Sequence, residues 1–167
     1  MQAYRDGGED GAGDAASAIE RELTLLVRRA QKVDLRGGRL DRAVDRAAYG
    51  ILGRLFDAGP QRPGALAEHF YLDASTISRQ VAALETAGLV HRVSDAQDGR
   101  ASLLRLSAHG EEVLVSTRAE RRRVVQDLLS SWPAADLKQF ATLLAAFNAG
   151  LDRQLDAHHR LSQGAPQ

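Results

Sequence analysis

The chain has 167 residues with 22 basic and 22 acidic side chains, so its formal net charge is zero and bulk cationic stickiness is excluded. Cysteine is absent, which excludes disulfides, thiolate catalysis and thiol redox sensing. No apolar run approaches the ~20 residues that cross a bilayer, and no basic start precedes an apolar N-terminal stretch, so a cytoplasmic protein with no membrane partner is expected.

Residues 1–17 are rich in Gly, Asp and Ala and carry Asp6, Glu9, Asp10 and Asp14 against Arg5 alone, the composition of a disordered tail. From Ala18 onward, Ile19, Leu23, Leu26, Val27, Ala30 and Val33 recur at helical spacing and predict an amphipathic helix to about Leu35. Arg36-Gly37-Gly38-Arg39 breaks it. A second helix, about Asp41 to Asp57, is expected to bury Val44, Ala48, Ile51, Leu52 and Leu55 before Ala58-Gly59-Pro60 ends it. Residues just before Pro63 are expected to add a short strand beside the hairpin that follows.

The stretch from Pro63 to Leu106 organises the rest. A short helix around Leu66-Ala67-Glu68 leads through a turn into a second helix from Ala74 to Glu85. At about 100° per residue, Ala74, Ile77, Val81 and Leu84 form one apolar stripe. Ser75, Arg79, Ala82 and Thr86 lie opposite, flanked by Thr76, Ser78 and Ala83. A helix entering a major groove about 12 Å wide must be slim on its outer face, and Arg can bond guanine O6 and N7 together. Asp73 is the expected N-cap. On an ordinary half-exposed helix the same polar residues would simply be solvated.

The hairpin shifts that balance. Residues 90–94 and 101–106 are strand-like runs joined by Asp95-Ala96-Gln97-Asp98-Gly99-Arg100. Arg100 is the cation at its tip; Asp95 and Asp98 would repel phosphate if left free, so Asp98 is expected to pair with a nearby arginine and hold the loop. Helix, turn, helix and hairpin together make a winged helix-turn-helix. Residues 61–106 balance five basic against five acidic side chains, so a DNA-facing patch must come from spatial segregation.

Beyond the hairpin, Ser107 can cap a long helix lined by Val113, Leu114, Val124, Val125, Leu128 and Leu129 until Trp132-Pro133 stops it. Arg121-Arg122-Arg123 point three ways and read as solvated surface. The last helix sets Leu137, Phe140, Leu144, Phe147, Leu151 and Leu155 on one side, and His158-His159 look frayed. These terminal stripes need burial, and pairing with a second copy supplies it. The expected fold is mainly α (α+β). Residues 41–106 form the winged DNA-binding domain, 18–40 and 107–157 a helical dimerisation region, and 158–167 a flexible tail.

Leu66-Ala67-Glu68, Ser75-Thr76-Ile77-Ser78-Arg79, Leu84-Glu85 and Gly88-Leu89-Val90 resemble the helix-turn-helix of the MarR family of bacterial transcriptional regulators. Arg92, Asp95, Asp98-Gly99-Arg100-Ala101 and Leu106-Ser107-Ala108-His109-Gly110 resemble its wing and exit, and the likeness spans about Ala18 to Asp156. The resemblance implies a homodimer on an inverted-repeat operator in double-stranded DNA. Ser75, Thr76, Ser78, Arg79 and Gln80 would enter the major groove, and Arg100, steadied by Asp98, the minor groove. It also implies repression of its own and neighbouring genes, nucleoid association when bound, and release by a small aromatic or anionic effector. Two residues depart from the family's pattern. Tyr71 occupies a turn position often held by Gly, so the turn is expected to differ, and Ala96 replaces a frequent proline, so the wing tip is expected to be looser.

No nucleophile, Gly-rich phosphate loop or catalytic His–carboxylate spacing is present, so neither an enzyme nor a cofactor is expected. The histidines are scattered and no metal site is expected. Arg46 and Tyr49 on the second helix, with Arg28 or Arg29 on the first, are candidates for holding an aromatic acid. The rival reading is a winged-helix module that binds protein without specific DNA readout. Such a surface would show exposed Leu or aromatics where this second helix is small and polar.

Overall fold

A computed structural model of the chain describes residues 7–30, 46–95, 98 and 101–163. The chain divides into two compact units, Met1–Gly37 and Gly38–Gln167. The first contains helix α1, Gly7–Ala30. It starts well before Ala18, so the expectation of disorder over 1–17 fails from Gly7 onward. Glycine disfavours a helix by about 1 kcal/mol relative to Ala, but Ala12, Ala15 and Ala16 are the strongest helix formers and no proline interrupts. Ile19, Leu26 and Val27 stay exposed along it.

The second unit runs α2 (Arg46–Ala58), α3 (Pro63–His69), α4 (Ala74–Thr86), β1 (Val90–Ser94), β2 (Ser102–Leu106), α5 (Ala108–Leu128) and α6 (Ala134–Gln163). It is a mixed α+β fold with a winged helix-turn-helix arrangement and flanking helices. Ile51, Leu52 and Leu55 of α2, Leu66 of α3, Ile77, Val81 and Leu84 of α4, Leu89, Val90, Leu104 and Leu114 build one buried core. The apolar stripe expected on the second helix is therefore the face that docks, with Ala74 at its exposed start.

Helix starts and stops follow local chemistry. Pro63 opens α3, where its missing N–H costs nothing. Gly59 ends α2 with φ +75°. At the end of α4, Gly88 takes φ +69°; its N–H donates to the Glu85 carbonyl at 3.0 Å and that of Leu89 to Leu84 at 2.9 Å, a Schellman stop. Strands β1 and β2 pair antiparallel with Val90 opposite Leu106 and Ser94 opposite Ser102. The extra strand expected before Pro63 is a single bridge, Gln61 to Leu104, closed by bonds of 3.0 and 2.8 Å.

Three expectations need correction here. The turn before α4 keeps its left-handed residue although that residue is Tyr71, with φ +52°. Helix α6 continues through His158 and His159, and the His159 ring meets the Tyr71 ring edge-on with centroids 5.5 Å apart. The expected flexible tail is thus helical up to Gln163, with His159 packed against Tyr71 and Leu161 exposed. Arg121 is also not simply solvated: its guanidinium lies 3.7 Å from the Tyr49 ring centroid, while Arg122 and Arg123 are exposed. Ala96, and with it the looser wing tip, lies outside the described residues.

Candidate nucleic-acid interface

Helix α4 turns its small polar residues outward because its branched residues are committed to the core. Ser75, Ser78, Arg79, Ala82 and Ala83 are exposed, while Thr76 and Gln80 are half-buried. The Gln80 Oε1 is enclosed without a hydrogen-bond partner, which sets this side chain at the edge of the outward face.

The first turn is wired through Asp73, the N-cap. Its carboxylate accepts from the Ser75 hydroxyl at 2.5 Å, the Thr76 N–H at 2.7 Å and the Thr76 hydroxyl at 2.7 Å. The Ser75 and Thr76 side chains and the Thr76 backbone hold that carboxyl far below its ordinary pKa of 3.8. Thr76 Oγ1 in turn accepts from Arg79 Nη2 at 3.2 Å, so cap, threonine and arginine form one chain of bonds. Asp73→Ala is expected to lower the melting temperature by about 2–6 °C at neutral pH. Because the folded carboxyl titrates below the unfolded one, the cap contributes fully above about pH 4 and is lost as pH falls further. The gap between wild type and variant should close below that point; a constant gap down to strong acid would contradict the assignment.

The wing is held by a residue that local spacing does not single out. Arg62 Nε and Nη2 donate to Asp95 Oδ2 at 2.9 and 2.6 Å, and Nη2 lies 3.6 Å from Asp98 Oδ2. The Asp95 hydrogen bond, then its charge, raises the Arg62 pKa. Asp98 does pair with an arginine, but Asp95 holds the shorter contact. The Asp95 N–H donates to Ala101 at 3.1 Å and the Ala101 N–H to Asp98 at 2.8 Å, closing the loop's base. Arg92 bonds Glu85 at 2.9 Å and Ser102 at 3.2 Å, tying the end of α4 to the hairpin. Arg100 lies outside the described residues.

Arg28 is exposed on α1 in the other unit, the Arg46 side chain lies outside the described residues, and the cation over Tyr49 is Arg121. Among the described residues no group of three or more His, Asp or Glu could hold a metal, and no helix is long and apolar enough to cross a membrane.

Residues 45–102, from the start of α2 to the first residue of β2, match the model of the MarR family. The HTH-type transcriptional regulator YxaD of Bacillus subtilis is 38% identical over 130 residues, which cover 78% of this chain and 90% of that protein. The chain belongs to the MarR family. Membership makes it a DNA-binding winged helix-turn-helix transcriptional regulator with dimer partners, and not an enzyme. Among similar solved structures, Streptococcus pneumoniae FabT in complex with DNA is 18% identical with a TM-score of 0.69, covering 83% of this chain and 99% of that one. The PcaV regulator of Streptomyces coelicolor, with its natural ligand, is 26% identical with a TM-score of 0.53, covering 89% and 98%.

Proposed function

We propose that the protein is a dimeric repressor that reads an inverted-repeat operator with α4 and steadies itself on the minor groove with the wing. Ser75, Thr76, Ser78 and Arg79 face the base edges, Gln80 flanks them, and Arg100 is the minor-groove cation. The observation that carries this reading is the outward face of α4: small, polar and bearing one arginine already oriented by Thr76. FabT, a similar fold solved in complex with DNA, supports the same use of the fold here.

The helical segments within 18–40 and 107–157 pair with a second copy. Phe140, Leu143, Leu144, Phe147, Leu151 and Leu155 are at least 40% exposed along α6, an apolar surface too continuous for a soluble monomer. Two-fold pairing presents two reading helices ~34 Å apart, one turn of the duplex. The target genes are the regulator's own and its neighbours. Release by a small aromatic or anionic compound draws support from PcaV, solved with its natural ligand.

Selection of bound duplexes from a random pool at two salt concentrations tests the reading. An enriched inverted repeat with half-sites about one helical turn apart is the expected result. Recovery of no sequence, with binding lost at modest salt, would reduce the interaction to phosphate contact and overturn specific readout.

A further inference from the structure

Tyr71, between α3 and α4, is the sole non-glycine residue with positive φ among the described residues, at +52°. An L side chain is disfavoured there because its Cβ crowds the following carbonyl, and such strain persists only where surroundings hold it. The backbone of the turn makes no demand for tyrosine. Phe70 N–H donates to Leu66 at 3.0 Å, Tyr71 to Glu68 at 3.1 Å and Leu72 to Ala67 at 3.0 Å, bonds that a glycine would make with less strain.

What tyrosine adds is reach. Its hydroxyl donates to the Asp156 carboxylate on α6, distant in sequence, and its ring meets His159 one turn further along at 5.5 Å and 73°. The Asp156 hydrogen bond raises the phenol's pKa, so the donor stays protonated at neutral pH. The contact roofs an open cleft that Ala65, Glu68 and His69 of α3 also line. In the same segment, Asp73 caps the reading helix two residues after Tyr71. Whatever holds the Tyr71 ring therefore holds the pivot between the two helices of the motif.

We propose that Tyr71 is a positioning residue. Its hydroxyl and ring fasten the helix-turn-helix turn to Asp156 and His159 on α6 and thereby fix the separation of the two reading helices in the dimer. The consequence at the operator rests on the DNA reading above; the linkage itself does not.

The absence of cysteine permits a clean test, because Ala82→Cys on exposed α4 carries a single spin label per subunit. Pulsed dipolar spectroscopy of the free dimer then reads the distance between the two α4 helices. Tyr71→Phe keeps ring and turn but removes the donor, Asp156→Leu removes the acceptor, and Asp156→Asn retains an acceptor oxygen. Both disruptive variants should broaden the distance distribution about twofold, the double variant no further, and Asp156→Asn should stay near wild type. Without the label, the same two variants should lose discrimination against operators whose half-site spacing is changed by one base pair. Binding to an isolated half-site should be unchanged. Wild-type width in Tyr71→Phe and Asp156→Leu overturns the proposal, as does a lower melting temperature with unchanged width, which would mark a purely structural contact. Should the protein select no DNA sequence, specific readout falls, and the distance distributions still decide the linkage.

Discussion

Gly110→Ala is expected to cost about 3 kcal/mol or more and to lower the melting temperature by about 6–12 °C. A Cβ at position 110 would lie 2.0 Å from the Leu89 carbonyl oxygen and 2.9 Å from its carbon, with Leu106 Cδ1 at 3.0 Å. The obstacle is backbone, so no rotamer change relieves it. That oxygen already accepts from the Ser107 N–H at 3.0 Å. Ser107 Oγ, in turn, donates to the Gly88 carbonyl at 2.6 Å and accepts from the Gly110 N–H at 2.9 Å. Making room means swinging the start of α5 outward, which breaks its cap and opens the packing of the fully buried Leu114. Small domains hold only ~5–15 kcal/mol in total, so the loss is a large share. Gly64→Ala is the control: nothing lies within 4 Å of its Cβ position, and the exchange should be neutral or slightly stabilising. Circular dichroism melts of both variants check the pair. Equal melting temperatures would place the first turn of α5 elsewhere.

Arg79→Ala should weaken binding to the selected operator by about 1–3 kcal/mol, roughly 5–150-fold, and flatten preference at the base it reads. The magnitude follows from preorganisation. Asp73 holds Thr76 and Thr76 holds the guanidinium, so little side-chain freedom remains to be lost on contact. Arg100→Ala should instead lower affinity evenly across sequences and reduce the salt slope by about 1. Titrations against the operator and its single-base variants separate the two effects. If Arg79→Ala discriminated between those duplexes as wild type does, the major-groove assignment would be wrong.

The features legible in the sequence were those set by neighbours along the chain. The stripe of Ile77, Val81 and Leu84, the Asp73 cap, the Ser107 cap and the hairpin all arise from spacings of a few residues, and the structure has each. Contacts between distant residues left no such trace. Arg62 meets Asp95 across 33 positions, and only the bridge at neighbouring Gln61 hints that this segment reaches the wing. His158 and His159 read as a frayed end because the ring that packs on His159 belongs to a turn far upstream. The family resemblance marked Tyr71 as anomalous, but only the fold reveals that the left-handed turn survives with tyrosine in it. At the other end, glycine and aspartate dominated the composition of the first residues and masked the alanines that carry α1 back to Gly7. Among the candidate effector residues, Tyr49 is met by a cation distant in the sequence, Arg121 of α5.

The clamp at the base of the wing has an electrostatic consequence for docking. Arg62, Asp95 and Asp98 together carry one positive and two negative charges, and Arg100 brings the set to neutrality. On the proposed docking, this neutral clamp and tip would displace few condensed cations from the duplex, because each phosphate neutralised contributes about 0.9 to the salt exponent. Its contribution to affinity would come from fitting the groove's width, and operators with A·T-rich flanks, whose minor groove is narrow, should bind more tightly than those with G·C-rich flanks.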